Sequence, residues 1–425
     1  MKPFAQKQDP TPLRIGLLSY RSNPHCGGQG VYLKNLGLAL AGLGHHVEVI
    51  TGPPDPGIGN AIPVHHLKGL DLYNPEDLFR LPGLDELVDP INLIEWLGVS
   101  TMGFPEPLTF GFRVLRFLRD TGRRFDIIHD NQSLSYGLWA LQQRIPVVAT
   151  IHHPITVDRT IALKSERHFF PKLKHLRWYA FVGMQKRVAR TLGRIITVSE
   201  AASRDICRDF GIGPGRISVV ANGIATDIFR PLPRIARDPC RVIVTTSAET
   251  PLKGLEHLLA AMALVRRHRA TSRLTVVGTP RANGRILKMV AALGLGDAVR
   301  FTGRIDDARF AEEYAGAGCC VVPSLYEGFG LPAGEAMACA VPVIATRAGA
   351  LPEVVGDAGI LVPPADPQAL AVAIIGLMDD PAKATALGHQ GMARVHAHFS
   401  WQAAARRTVD VYRQVIAEDG KRRQR

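Results

Sequence analysis

The sequence predicts an α/β protein of two domains, each built on a doubly wound parallel sheet, with the two domains facing a central cleft. Three observations support this prediction: the length of 425 residues, a repeated alternation of short apolar runs with helical stretches, and a proline-rich break near the middle. A single hydrophobic core rarely grows beyond about 250–300 residues, so two domains are expected. Apolar runs that alternate with helices are typical of parallel sheets covered on both faces.

The first half begins with a βαβ unit. An apolar run in LRIGLLSY is followed by the glycine-containing turn CGGQG, a helix with apolar residues at a spacing of three or four, and the second apolar run VEVI. That order is the pattern of strand, helix and parallel strand. Further strands are predicted at 125–130, 146–152, 194–199 and 217–223.

The same cycle starts again after the segment 230–239, which contains three prolines and is the predicted linker. Strands are predicted at 241–249, 272–278, 298–305, 319–324 and 341–346, each followed by a helical stretch. The chain therefore divides into an N-terminal domain of residues 1–234 and a second domain of residues 235–401. A final helix over 402–425 can pack back on the N-terminal domain or on the second, and its pattern favours neither.

The composition is that of a globular protein, with 46% hydrophobic and 21% charged residues. No apolar run is long enough to span a membrane, and the first twelve residues lack the apolar core of a signal peptide, so we expect a cytoplasmic protein. The six cysteines do not have the paired spacing of a zinc site. We therefore expect reduced thiols and no bound metal.

Positive charge is concentrated in one stretch of the chain. The formal net charge is +13, and the segment 159–194 contains ten Lys or Arg against one acid, Glu166. Cations mixed with aromatic residues suit peripheral contact with an anionic membrane. They also suit a helix packed on the N-terminal domain with a solvated basic side, which the sequence slightly favours. Nucleic acid is suggested by net charge alone, and we expect none as a partner.

Residues 327–335 read EGFGLPAGE, which is poor material for a strand interior. We predict a loop that begins at Glu327 and a helix that starts near Pro332 or Ala333 and has Glu335 in its first turn. Glycines 328 and 330 would let backbone N–H groups approach a diphosphate. A turn with a glutamate that caps the helix fits the spacing equally well. The earlier turn, with Gly27 and Gly28, suits a phosphate too, although it lacks the GxGxxG spacing of an NAD dehydrogenase.

EGFGLPAGE resembles the E-x7-E signature of the retaining nucleotide-sugar glycosyltransferases, particularly family 4, which have the GT-B fold of two Rossmann-like domains. Other segments resemble the family in the same order: GGQGVYLKNLGLALAGLGHHVEVIT, ITVSEAASRDI, ISVVANGIATDIFRP, PLKGLEHLLAAM and GALPEVVGDAGILVPPADPQAL. The resemblance implies a hexosyltransferase whose N-terminal domain takes the acceptor and whose second domain takes the donor. It implies metal-independent transfer from a nucleotide-diphosphate sugar to a hydroxyl acceptor, without a cofactor. The basic stretch 159–194 adds the hypothesis of a lipid-linked acceptor, and a glycan precursor is the other candidate.

The resemblance also implies roles for individual residues. Lys253 would neutralise the donor phosphates, Glu327 would contact hydroxyls of the transferred sugar, and His152 would lie near the reacting sugar. A solvated lysine and a core histidine are the structural alternatives for Lys253 and His152. The implied catalytic residues are His152, Glu327 and Lys253, and the implied substrate-binding residues are Gly27, Gly28, Gly328, Phe329, Gly330, Leu331 and Glu335.

One departure from the family pattern leaves alternatives open. The family usually has an Arg a few residues before the Lys of the phosphate loop, whereas this chain reads TTSAETPLKG. Arg304 is our suggested substitute. A nucleotide-sugar epimerase, a sugar phosphorylase and a non-catalytic nucleotide-sugar-binding protein share the expected fold, and product analysis separates them. The sequence favours no particular base, acceptor or oligomeric state.

Overall fold

The computed structural model describes residues 11–22, 28–73, 77, 80–166, 168–246 and 248–424. Within these residues, one sheet is formed by seven strands: β1 (Arg14–Ser19), β2 (His46–Thr51), β3 (Val64–His66), β4 (Ile127–Asn131), β5 (Val147–Ile151), β6 (Ile195–Thr197) and β7 (Ile217–Val219). The strands are parallel and lie in the order β3-β2-β1-β4-β5-β6-β7.

A second sheet follows in the other half of the described chain. Its six strands are β8 (Asp238–Thr245), β9 (Arg273–Val277), β10 (Val299–Phe301), β11 (Ala317–Val322), β12 (Val343–Thr346) and β13 (Ile360–Val362), in the order β10-β9-β8-β11-β12-β13. The strand order reverses once in each sheet: between β1 and β4 in the first sheet, and between β8 and β11 in the second. The predicted fold class is therefore confirmed, and these two reversal points are where doubly wound sheets bind ligands.

Helices cover both sheets. Those associated with the first sheet are α1 (Gly28–Gly42), α2 (Leu84–Leu87), α3 (Pro90–Ser100), α4 (Glu106–Thr121), α5 (Tyr136–Leu141), α6 (Thr156–Ser165), α7 (Phe169–Trp178), α8 (Val182–Ala189) and α9 (Glu200–Ile206). Those that follow β8 are α10 (Leu255–His268), α11 (Arg285–Ala292), α12 (Asp307–Ala315), α13 (Leu331–Ala338), α14 (Leu351–Val355), α15 (Pro367–Asp379), α16 (Pro381–His398) and α17 (Trp401–Arg423). In the described part of the chain, no helix combines the length and the apolar character needed to cross a membrane.

Serine and aspartate side chains determine where several helices begin. Ser199 and Ser400 each accept a hydrogen bond from the backbone N–H three residues further on, and Asp306 and Asp366 do the same. Such side chains satisfy a backbone donor that has no partner within the helix. The local sequence therefore favours these residues as the starts of the helices.

The last helix, α17, returns to the first sheet. Its Trp401 and Tyr412 are buried in one apolar cluster with Tyr32 and Leu36 of α1. The Tyr412 hydroxyl lies 2.6 Å from Nδ1 of His129 in β4. Apolar burial and a buried polar contact thus attach α17 to the N-terminal domain.

The chain passes between the domains twice, and the two passages lie side by side. The first passage joins β7 to β8, and the second joins α16 to α17. Ile224 N donates to the backbone oxygen of Phe399 over 2.9 Å. A Cβ placed on Gly223 would lie 2.3 Å from the backbone nitrogen of Trp401, so a larger residue at this position would separate the two passages.

Candidate active site

The reversal points of the two sheets face each other across the domain boundary. A Cβ placed on Gly28, at the start of α1, would lie 3.7 Å from Cδ1 of Leu331, at the start of α13. A Cβ on Gly328 would lie 2.5 Å from the backbone oxygen of His152, which follows β5. The structure therefore brings Gly28, His152, Gly328 and Leu331 together. Gly27, which we also predicted to bind substrate, lies outside the described residues.

Lys253 and Glu327 form an ion pair beside this region, since Glu327 directly precedes Gly328. Lys253 Nζ lies 2.7 Å from Glu327 Oε1, and the Ser324 hydroxyl donates to the same oxygen over 2.8 Å. Lys253 ends a short 3-10 turn, Pro251–Lys253, and Gly254 follows with φ +66°. A Cβ on Gly254 would lie 2.1 Å from the backbone oxygen of Pro323, so only glycine fits between the two loops.

The loop from Glu327 leads directly into α13. Gly330 has φ +99°, a conformation that glycine adopts without strain, and the helix begins at Leu331. Phe329 is buried and its ring lies edge-on to Phe399, at 5.6 Å between centroids. The Phe329 side chain is therefore part of the core. Only its backbone can contact a ligand, together with the backbone of Gly328 and Gly330.

Glu335 is buried in α13, one residue beyond the first turn in which we placed it, because the helix starts one residue earlier than predicted. The Tyr314 hydroxyl donates to its Oε2 over 3.3 Å. Burial disfavours the charged form and raises the pKa of Glu335 from 4.5 to about 7. A hydroxyl-rich ligand that donates to this carboxylate would offset the cost of its ionisation.

His152 is a buried, neutral histidine in this structure. Burial lowers the pKa of its imidazole from 6.5 to about 3. Its Nε2 lies 2.7 Å from Asn131 Oδ1, and its backbone N–H donates to Gln132 Oε1 over 2.8 Å. The imidazole cannot act as a cation near neutral pH, so its chemistry is that of a hydrogen-bonding group.

The polar loop that surrounds His152 was not predicted from the sequence. Residues 130–133, DNQS, follow β4 at the reversal point of the first sheet. Asp130 accepts from the backbone N–H of Leu134 over 2.8 Å, and burial raises the pKa of Asp130 to about 6. Gln132 has φ +61° and Leu134 has φ +48°, both sparsely populated by residues other than glycine. Such backbone strain is common at functional sites. The sequence did contain a signal for this loop, because a run of polar residues directly follows an apolar strand.

Direct contacts hold the two domains against each other beside these residues. The Ser199 hydroxyl donates to the backbone oxygen of Gly328 over 2.7 Å. The Glu353 carboxylate accepts from the backbone N–H groups of Glu200, at 2.8 Å, and Ala201, at 2.7 Å, at the start of α9. A negative charge is favourable at a helix N-terminus. The loop that contains the E-x7-E signature is therefore bonded to the N-terminal domain.

Arg304, the suggested substitute for the missing arginine, is exposed in the loop after β10 and has no hydrogen bond or ion pair with another described residue. The described partner of Lys253 is Glu327. Among the described residues, no group of three or more His, Cys, Asp or Glu is placed to hold a metal ion. The structure thus assigns no second cation to the position before Lys253.

A groove of about 950 Å³ lies at the amino ends of the strands in the second sheet, away from these residues. Its arginines are largely engaged by neighbouring acids: Glu313 lies 3.0 Å from Arg241, 2.6 Å from Arg300 and 3.1 Å from Arg309. We therefore place the candidate active site between the domains and not in this groove.

The comparisons with known proteins agree with this geometry. A family model described as Glycosyltransferase Family 4 matches residues 26–228, and one described as Glycosyl transferases group 1 matches residues 240–380. The MMP alpha-(1->4)-mannosyltransferase of Mycolicibacterium hassiacum is 45% identical over 95% of this chain and 99% of its own. The chain belongs to the family 4 glycosyltransferases. The family and the hexosyltransferase class that we predicted are confirmed.

Two further similarities cover this glycosyltransferase almost completely. The D-inositol 3-phosphate glycosyltransferase 2 of Catenulispora acidiphila is 31% identical over 96% of each chain. The structure of the sucrose-phosphate synthase from Thermosynechococcus elongatus is similar with a TM-score of 0.73 and 28% identity, over 96% of this chain and 100% of that one. The GT-B architecture is therefore shared, and the roles of single site residues stay predictions.

Proposed function

We propose that this glycosyltransferase moves a mannosyl group from a nucleoside-diphosphate sugar to a glycan hydroxyl, with retention of the anomeric configuration and without a metal ion. The observation that supports the proposal is the convergence of Lys253 and Glu327 with the first residues of α1 and α13. The choice of mannose follows the 45% identical mannosyltransferase.

The first requirement of this reaction is stabilisation of the leaving group. When the sugar departs, negative charge develops on the diphosphate, and groups already aimed at that position lower the barrier most effectively. Lys253 supplies a cation. The N-termini of α1 and α13 supply the positive ends of two helix dipoles, which favour a bound anion. In this proposal these groups provide the electrostatic stabilisation that a bound metal provides in other transferases.

The second requirement is recognition of the donor. Glu327 would bind hydroxyls of the transferred sugar, and the backbone of residues 328–331 would bind the same sugar and the phosphates. Glu335 would accept from the ribose hydroxyls, because it is the carboxylate of α13 and lies in a buried position beside Tyr314. His152 would contact the sugar from the N-terminal domain. Contacts from both domains would exclude water from the donor, which limits its hydrolysis.

Ligand-dependent melting tests the donor site. We would measure the melting temperature with UDP, GDP, ADP and their sugar conjugates, with and without EDTA. A ligand at one hundred times its Kd stabilises the folded state by about 2.7 kcal/mol. We expect a shift that is selective for one base, persists in EDTA and is lost in Glu335→Ala. Lack of a shift with every nucleotide would contradict the donor site.

Product analysis tests the reaction itself. A retaining mannosyltransferase needs both donor and acceptor and yields an α-linked product from an α-linked donor, which the one-bond C1–H1 NMR coupling of the mannosyl residue identifies. An epimerase changes the donor without an acceptor, and a phosphorylase requires inorganic phosphate. A β-linked product would refute retention, and binding without turnover of any of these mixtures would indicate a nucleotide-sugar-binding protein.

We further propose that α7 contacts an anionic lipid surface from which the acceptor is reached. Four apolar residues of α7 are exposed at helical spacing: Phe169 (73%), Phe170 (75%), Leu173 (51%) and Leu176 (50%). The sequence slightly favoured a packed helix, and the C-terminal end of α7 does pack, with Trp178 stacked on Phe104. The segment 167–194 contains no acid. An exposed apolar face with flanking cations suits the surface of an anionic bilayer.

Liposome flotation tests this contact. We expect the wild-type protein to float with vesicles that contain phosphatidylserine, more weakly in high salt, and the variant Phe169→Ser/Phe170→Ser to remain at the bottom. The matched control is Leu84→Ser in α2, which removes an exposed apolar side chain (87%) next to Asp85 and Glu86. If wild type and the double variant float equally poorly, the proposed membrane contact is wrong.

A further inference from the structure

The orientation of the Asn131 side-chain amide is fixed by the groups around it. Asn131 Nδ2 lies 3.0 Å from the backbone oxygen of Gln29, which can only accept a hydrogen bond. It lies 3.3 Å from Ser19 Oγ, whose own proton is donated to the backbone oxygen of Arg21 over 2.7 Å. Two acceptors therefore face the amide nitrogen. The amide oxygen must point the other way, toward His152.

This orientation determines which ring nitrogen of His152 has the proton. Asn131 Oδ1 is an acceptor, and it lies 2.7 Å from His152 Nε2, so Nε2 must donate. Burial keeps the imidazole neutral, because the pKa of His152 is lowered to about 3. The single proton is then on Nε2, and Nδ1 keeps its lone pair. Among the described residues, Nδ1 has no hydrogen-bond partner.

We propose that Asn131 is a positioning residue that holds His152 in the Nε2–H tautomer, so that Nδ1 accepts a hydrogen bond from a hydroxyl of the donor sugar. The role of Nδ1 rests on the proposed transferase function, whereas the tautomer does not. In the other tautomer, two lone pairs would face each other between His152 and Asn131. Rotating the Asn131 amide by 180° would relieve this contact, but it would break the hydrogen bonds from Nδ2 to Gln29 and Ser19. It would also bring Oδ1 against the backbone oxygen of Gln29.

The position of the helix α1 supports this role. Gln29 is the second residue of α1, the helix whose N-terminus faces α13 across the domain boundary. The Tyr32 ring of the same helix lies edge-on to His152, with 4.7 Å between ring centroids. The side-chain amide of Asn131 is therefore bonded to both His152 and α1, the helix whose N-terminus we propose to stabilise the leaving diphosphate.

The test uses the full-length protein with ¹⁵N-labelled histidine and long-range ¹H–¹⁵N correlation spectra in the absence of ligand. In the wild type, we expect Nε2 of His152 to have the shift of a protonated nitrogen and Nδ1 that of an unprotonated one. The His152 signals are assigned from their loss in His152→Gln. In Asn131→Leu we expect a mixture of tautomers, and in Asn131→Asp, which keeps an acceptor, the Nε2–H form.

An internal control separates this effect from a loss of folding. His129, in the same strand as Asn131, is bonded to Thr150 and Tyr412, and its shifts should stay constant in both variants. An Nδ1–H form of His152 in the wild type, or an unchanged tautomer in Asn131→Leu, would overturn the proposal. These spectra need no donor, so they stand even if transfer is never observed.

Kinetics tests the role of Nδ1 separately. For Asn131→Leu we expect kcat to fall about tenfold, the effect of one hydrogen bond, with a smaller change in the donor KM, which depends mainly on the diphosphate contacts. Asn131→Asp places a negative charge next to the ring and favours its protonated form, so kcat at saturating donor should fall further on the acid side of the pH profile than that of the wild type. A fixed tautomer with unchanged kcat in Asn131→Leu would refute the contact with the sugar.

Discussion

Lys253 and Glu327 neutralise each other in the absence of a donor. The two side chains are partly buried and lie 2.7 Å apart, so either one would lose a charge partner if the other were removed. A diphosphate would compete with Glu327 for the lysine, and sugar hydroxyls would replace the lysine at Glu327. The ion pair thus keeps both side chains in place before the donor binds.

The first prediction concerns the cation. Lys253→Met should lower kcat/KM at least about 100-fold, because it removes a positive charge from the position where the leaving diphosphate becomes more negative. Steady-state kinetics with the donor identified by melting shifts measures this effect. Lys288→Met, at an exposed lysine of α11 in the same domain, is the control and should be unaffected. Equal losses in both variants would show a general effect of charge.

The second prediction concerns the pH dependence of donor binding. Burial raises the pKa of Glu335 to about 7, and donated hydroxyl hydrogen bonds favour its ionised form. Affinity for a nucleotide sugar should therefore rise between about pH 6 and 8, measured by calorimetry. A nucleotide sugar is the ligand to use, because it lacks a terminal phosphate that titrates in this range. Glu335→Gln should bind with an affinity that does not change with pH.

The raised pKa of Glu335 also makes the free energy of unfolding depend on pH. A carboxyl group with a folded pKa above its unfolded value of 4.5 stabilises the fold fully below that value, and this stabilisation is lost as the pH rises through about 7. The urea midpoint of the wild type should therefore decline more than that of Glu335→Gln between pH 4.5 and 7. Parallel curves would show that Glu335 ionises normally.

At the scale of elements, the sequence predicted most strands and missed those with a weak pattern. Short apolar runs between helices identified β1 and β11, for example, because strands covered on both faces are apolar throughout. The strands β3 and β13 have three residues each and are half-buried, so their pattern does not stand out. The partner of α17 could not be predicted either, since an apolar stripe shows that a helix is packed and does not show against what.

The third prediction concerns that packing. Tyr412→Phe should destabilise the protein by about 1–3 kcal/mol, because it leaves Nδ1 of the buried His129 without its partner. Urea denaturation monitored by circular dichroism measures the change. The control is Tyr136→Phe, at a tyrosine that is 36% exposed, which should lower the free energy of unfolding far less. A loss of stability as large in Tyr136→Phe as in Tyr412→Phe would refute the importance of this contact.

At the scale of the whole molecule, the site exists only when both domains are in contact. The family motifs indicated Lys253, Glu327 and His152 by residue type. The contact of Asn131 with Gln29, in contrast, follows only from the order of the strands, which places β4 next to β1. Contacts such as that of Ser199 with Gly328 join segments more than 100 residues apart in the chain. Pairings at that distance follow from the tertiary fold, and no local pattern predicts them.

The fourth prediction concerns the contact between the domains. Glu353→Ala removes a carboxylate that accepts two backbone hydrogen bonds at the start of α9, so the domains should separate more often. We expect a larger radius of gyration in small-angle X-ray scattering and a higher donor KM. Asp379→Asn, which removes an exposed ion pair to Arg269 within one domain, should change neither. An unchanged radius in Glu353→Ala would show that other contacts suffice.

The return of α17 to the first sheet has a consequence for the integrity of the molecule. A single peptide-bond cleavage after Arg234 would produce two fragments. The helix α17, at the end of the second fragment, would still be buried against α1 of the first fragment. Such a nicked protein should migrate as one particle in gel filtration and separate only in denaturant. Proteolysis between the domains would therefore leave the enzyme assembled, and the two halves of the gene, expressed separately, should reconstitute it.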